Sequence, residues 1–102
     1  MNPKDSPDAT WAVPPGVTFA RRFWDGEAVV YNEASGETHI LDAFSDWLLL
    51  ELVKGPASLA ALIARAAAEA GADPGRAEAR VRETLGRFDG EGLAEPAMPA
   101  RA

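Results

Sequence analysis

Two residues, Asp25 and Gly26, stand between two runs that alternate with a period of two, residues 17–24 and 27–31. Asp-Gly supplies the two positive-φ positions of a type I′ turn, whose twist matches that of paired strands, so a two-residue β-hairpin is predicted here. The turn sets the register: Trp24 opposite Glu27, Phe23 opposite Ala28, Arg22 opposite Val29, Arg21 opposite Val30 and Ala20 opposite Tyr31. Phe19, Phe23, Ala28 and Val30 then share one face, with Arg21 between the two Phe, while Trp24, Val29 and Tyr31 share the other. A second strand that is apolar on both faces belongs in the middle of its sheet.

Residues 32–36, Asn-Glu-Ala-Ser-Gly, read as a second turn, and Glu37, Thr38, His39, Ile40 and Leu41 as a third short strand, predicted at a sheet edge. Asp42 is then expected to cap a helix whose Phe44, Trp47, Leu48, Leu49, Leu50, Leu52 and Val53 are apolar nearly all round, ending at Lys54-Gly55 with glycine in the left-handed conformation. Ser58 caps a second, Ala-rich helix over residues 59–70, with Gly71 just past it. Asp73-Pro74 opens a third, with Ala77, Val81, Leu85 and Phe88 as its stripe, broken by Asp89-Gly90-Glu91-Gly92, after which Leu93 folds back. Strands first and helices after make an α+β fold, a three-stranded antiparallel sheet followed by a three-helix bundle.

At 102 residues the chain suits one domain. The expected division is a flexible lead-in over residues 1–15, a domain over 16–95 and a flexible tail over 96–102, with Trp11 and Val13 as apolar exceptions in the lead-in, Trp11 serving as an anchor. Cysteine is absent and there is one histidine, which excludes disulfides and thiolate zinc sites and leaves little for a metal; no cofactor is expected. No phosphate-loop, nucleophile-elbow or HExxH pattern is present, so the chain is read as non-enzymatic. The N-terminus lacks a signal-peptide pattern and no apolar run approaches a membrane span, so a cytoplasmic location without membrane contact is expected. A net charge of −6 opposes a nucleic-acid partner.

Three features are candidates for function. His39 reads either as a half-exposed strand residue or as a contact to a partner. Arg76, Arg80, Glu83 and Arg87 fall on one face of the third helix, either a solvated face with internal ion pairs or a weakly basic rim that receives an acidic peptide. The third strand, with only Glu37 protecting it, offers unpaired backbone groups to an added strand. The same edge, and the Trp-bearing lead-in, also leave a homodimer open.

The run Trp24-Asp25-Gly26-Glu27-Ala28-Val29-Val30-Tyr31-Asn32, followed by Ser35-Gly36-x-Thr38-His39-x-Leu41, a Leu-rich helix, a Ser-capped helix and a closing helix ending at Gly92-Leu93, resembles the PqqD-like peptide chaperones, or RiPP recognition elements. More narrowly it is similar to the PqqD-related proteins of the HPr-rel-A system, which accompany a kinase related to HPr kinase. The resemblance implies a winged-helix-like fold and a chaperone that holds a precursor's leader peptide by β-augmentation and presents it to a modifying enzyme. It implies that the leader adds beside the third strand, at Glu37, Thr38, His39, Ile40 and Leu41, with the third helix as the opposite wall, for which Arg80, Thr84 and Arg87 are the matching choices. Two other roles stay open: a docking or regulatory subunit that binds no leader, and a DNA-binding winged helix, which the acidic charge disfavours.

Overall fold

Asp25 and Gly26 take φ of 55° and 78°, the two positive values that a type I′ turn requires. In the computed structural model, which describes residues 6–71 and 73–97, this turn joins β2 (Phe19–Trp24) to β3 (Glu27–Asn32). The observed register pairs Trp24 with Glu27 and Ala20 with Tyr31, with every intervening pair as the turn dictates. Asn32 makes the next turn: its side-chain oxygen accepts from the N–H groups of Ala34 and Ser35 at 2.9 and 3.2 Å, and Gly36 follows at φ 80°. The chain returns as β4 (Thr38–Asp42), with Ile40 opposite Val29 and His39 opposite Val30. The sheet order is β2-β3-β4, which leaves β3 central and β4 at an edge.

Three helices follow, α1 (Ala43–Lys54), α2 (Leu59–Ala70) and α3 (Pro74–Glu91). Asp42, Ser58 and Asp73 cap them, each side chain accepting the N–H of the residue three positions on. Gly71 closes α2 in the left-handed helical conformation, whereas Gly55 closes α1 at φ 156°, ψ 164°, a positive-φ conformation outside that basin which is open essentially to glycine alone. The end of α3 differs from expectation too. Gly90 is helical, and the break comes at Gly92, where the Leu93 N–H reaches the Phe88 carbonyl at 2.9 Å and the Gly92 N–H reaches that of Asp89 at 3.3 Å. This is a Schellman motif, whose apolar contact is made here by Leu93 and Phe88, both fully buried.

A second sheet was not legible in the sequence. β1 (Thr10–Ala12) lies between β5 (Ala57–Ser58) and β6 (Glu95–Ala97), with Trp11 opposite both Ala57 and Pro96. These strands are two or three residues long and pair across most of the chain, so no local alternation announces them. Residues 10–12 and 96–97, expected to be loose, are thus paired strands, while residues 1–5 and 98–102 of the same expected segments lie outside the described residues. Trp11 is 3% exposed and acts as an anchor.

The core lies between the inner face of the β2-β3-β4 sheet and the helices. Ala28, Val30 and Leu41 meet Leu48, Leu49 and Leu52 of α1, with Leu62, Val81, Leu85 and Phe88 behind them. Helix α1 is less uniformly buried than its composition suggests: Val53 is 55% exposed, while Ser45 and Asp46 are buried. Among the described residues, no helix is long and apolar enough to cross a membrane.

Candidate functional site

The hydrogen-bond pattern decides which backbone groups of the edges are available. The Asn32 N–H donates to the Glu37 carbonyl at 2.8 Å, so these two form a hydrogen-bonded pair. Alternation along an antiparallel ladder then makes Val30–His39 and Ala28–Leu41 the other such pairs. The N–H and C=O of Thr38 and Ile40 therefore point away from β3, along the open edge of β4. At the opposite edge the Glu33 N–H donates to the Thr18 carbonyl at 2.9 Å, and the same alternation turns the backbone groups of Phe19, Arg21 and Phe23 outward.

The two edges are not equally inviting. Arg21 points inward from β2 and grips Asp46 of α1 with two hydrogen bonds, Nε to Oδ1 at 2.9 Å and Nη2 to Oδ2. That hydrogen-bonded carboxylate, 6% exposed, raises the pKa of the guanidinium above its ordinary value. Arg22 stands exposed beside it. An inward charge and an adjacent outward one are devices that blunt a sheet edge. β4 has no inward lysine or arginine, since its inward residues are His39 and Leu41, and its one outward charge, Asp42, stands at its end.

Helix α3 flanks β4 in the antiparallel sense. Arg80 Nη2 lies 3.6 Å from Asp42 Oδ2 at one end of the strand, and Glu91 Oε2 lies 3.4 Å from His39 Nδ1 at the other. The Arg80 guanidinium also sits over the Phe44 ring, 4.5 Å from its centroid, a cation–π contact that holds it across the cleft. A cavity of about 650 Å³ opens at the Asp42 end, lined among others by Asp42, Phe44, Arg76, Arg80, Thr84 and Arg87. The Ser45 N–H bond to the Asp42 carboxylate, followed by the Ser45 side chain and the charges of Arg80 and Arg87, holds that carboxyl below its usual range.

The residues singled out in the sequence are distributed as follows. Thr38 and Ile40 are exposed along the open edge, whereas Glu37, expected in the strand, is exposed just before it with its carbonyl turned to the Asn32 N–H. Leu41 is 1% exposed and belongs to the core. His39 faces inward with its side chain only 9% exposed, beneath the strand, and its Nε2 has no partner among the described residues. Arg80 and Arg87 are exposed on the cleft, whereas Thr84 is buried and donates its hydroxyl to the Arg80 carbonyl at 2.8 Å, turned back on its own helix. Asp42 and Phe44 line the cleft without having been singled out for it, while Arg76 and Glu83 line it as members of the α3 face read as a weakly basic rim. The cap at Asp42 was legible, but its approach to Arg80 joins residues 38 positions apart and leaves no local signal.

The outer face of the sheet is apolar and uncovered. Trp24 is 77% exposed, Ile40 66%, Tyr31 43% and Val29 42%. On the far side, a second cavity of about 630 Å³ lies between β2 and α1, with Val13, Pro14, Val17, Phe19, Leu50 and Val53 among its walls.

Comparison with known proteins adds one finding. The family model described as coenzyme PQQ synthesis protein D (PqqD) matches residues 27–94, which spans the sheet from β3 onward and all three helices. No curated protein matches the chain, and no solved structure does.

Proposed function

Because the chain belongs to the PqqD family, non-catalytic peptide-binding adaptors that hold a precursor peptide and partner a modifying enzyme, we propose that it takes the leader segment as an added strand on β4. The observation that carries this reading is the open edge, where the N–H and C=O groups of Thr38 and Ile40 face outward between the flanking charges of Glu37 and Asp42, with no charged side chain on the two residues themselves. Four backbone hydrogen bonds at about 1 kcal/mol each sum to roughly 4 kcal/mol, equivalent to millimolar affinity before ordering costs. The cleft must therefore supply the rest. Phe44 offers an apolar surface there, and Arg76, Arg80 and Arg87 against the carboxylates of Asp42 and Glu83 make the cleft weakly basic in a chain of net charge −6. A guest with apolar residues on its inward face and acidic residues near the Asp42 end suits such a cleft.

The enzyme that receives the guest is, on the sequence resemblance, a kinase related to HPr kinase. Duplex DNA fits less well, since α3 carries Glu78, Glu83, Asp89 and Glu91 among its arginines.

Proline scanning tests the reading. Thr38→Pro and Ile40→Pro each remove an outward N–H and leave the β3–β4 ladder intact, so both variants keep the fold by circular dichroism and bind precursor peptides from neighbouring genes at least tenfold more weakly, about 1.4 kcal/mol. His39→Pro removes a donor directed at β3 and destabilises the sheet instead. Folded Thr38→Pro and Ile40→Pro proteins that bind peptide like wild type would exclude strand addition at β4. Affinity for the enzyme with none for any precursor would instead make the chain a docking subunit.

A further inference from the structure

The helices and the core occupy one face of the β2-β3-β4 sheet, and the opposite face carries most of the large apolar side chains that the described residues leave exposed. Val29 and Ile40 are directly opposite one another, Tyr31 follows Val29 on the same face of β3, and Trp24 lies diagonal to Val29 across the hairpin. Neighbours of this kind are within reach of large side chains, so the four form one contiguous patch in the middle of a sheet. Patches of that kind on soluble domains mark interaction sites.

The rim decides between occupants. Asp25, Glu27 and Glu33 surround the patch, and Arg22 is the one cation among the described residues of that face. A second copy laid face to face would set carboxylates against carboxylates, a like-charge contact that opposes association. An apolar surface rimmed by lysine and arginine meets both the patch and its border. The patch is also continuous with the peptide edge, because Ile40 contributes its side chain to the face and its backbone to the edge. In a guest strand on β4, the residue opposite Ile40 points to this same face and extends the row Val29–Ile40 by one position.

We propose that this open sheet face is where the modifying enzyme docks, through an apolar patch of its own with a basic rim, and that the guest residue opposite Ile40 forms part of the same interface. The adaptor and its cargo are then read together. The guest's share of the interface rests on strand addition at β4; the share of Val29, Tyr31 and Trp24 does not.

The test uses the full chain, a precursor peptide that it binds, and the enzyme that modifies that peptide, with each pairwise affinity measured by calorimetry. Val29→Glu and Tyr31→Glu should leave peptide affinity unchanged within roughly twofold and weaken enzyme binding tenfold or more, as loss of an interface centre does. The pair Glu27→Lys and Glu33→Lys, which leaves the apolar patch whole and so guards against misfolding, should weaken enzyme binding and reverse its salt dependence. The enzyme should bind the peptide complex more tightly than the free chain, and by linkage tighten the peptide by the same factor. Lysine at the guest position opposite Ile40 should abolish that coupling.

Unchanged enzyme affinity in folded Val29→Glu and Tyr31→Glu proteins would overturn the proposal. So would self-association of the wild-type chain in sedimentation that Val29→Glu abolishes, since the face would then belong to a second copy. If the proline variants at Thr38 and Ile40 bind peptide normally, the guest's share is lost while the effect of Val29→Glu on the enzyme still upholds docking on this face.

Discussion

Asp42 serves two elements at once. Its carboxylate caps α1 through the Ser45 N–H at 2.8 Å and faces Arg80 of α3 at 3.6 Å. A carboxyl whose pKa is lowered on folding contributes stability that is fully present above its unfolded value, about pH 4, and lost as pH falls through the lower folded value. Asp42→Asn keeps a capping oxygen and removes the charge. Urea unfolding across the acid range should therefore show a shallower loss of stability in the variant, with the two proteins converging once the wild-type carboxyl is protonated. The Arg21–Asp46 pair makes a different point, because Asp46 is almost wholly covered while Arg21 is about one-third exposed. Arg21→Ala leaves a buried carboxylate without its partner and should cost about 3 kcal/mol in chemical denaturation. Replacing both residues by leucine should restore most of that loss. The pair was half legible: the hairpin register already turned Arg21 inward, and a carboxylate at position 46 of a Leu-rich helix is a charge in want of a partner. Which guanidinium met it required the fold.

At the level of elements, turns and caps were the readable part. Asp25-Gly26 set the register of β2 and β3, and Asp42, Ser58 and Asp73 each opened the helix expected of them. These are local effects, decided within four or five residues. The end of α3 shows where local reading stops, since Gly90 and Gly92 are equally able to break a helix. Burial of Leu93 against Phe88 selects Gly92, at φ 75°, and leaves Gly90 helical. Opposite effects follow for one substitution. Gly92→Ala forces a side chain into the left-handed region and should cost about 1 kcal/mol. Gly90→Ala, where an added Cβ meets nothing within 4 Å, should stabilise by roughly 0.5–1 kcal/mol. Thermal unfolding of the two variants should move the midpoint in opposite directions. The two sheet edges likewise look similar in sequence. Their difference arises because Arg21 of β2 has a buried partner below it, while β4 has only His39 and Leu41 facing inward.

For the molecule as a whole, the small sheet of β1, β5 and β6 ties both ends of the described chain to the loop between α1 and α2. Trp11 fills its centre, so Trp11→Ala should cost about 3–5 kcal/mol. That is a large share of the 5–15 kcal/mol typical of a domain, and each kcal/mol lowers the melting point of a chain this size by roughly 4–8 °C. Deletion of residues 1–12 should do at least as much. A melting point unmoved by either change would show that the sheet contributes nothing to stability. By itself the sequence determined the hairpin and its register, the order of β2, β3, β4 and the three helices, and the N-terminal caps. Each of these follows from interactions between near neighbours, for which periodicity and turn chemistry are sufficient. Tertiary structure alone decided the second sheet, the pairing of Arg21 with Asp46 and of Arg80 with Asp42, the inward turn of His39 and Thr84, and the exposure of the sheet's outer face. Those depend on contacts between residues far apart in the chain, and such contacts exist only once the core has assembled and brought them together.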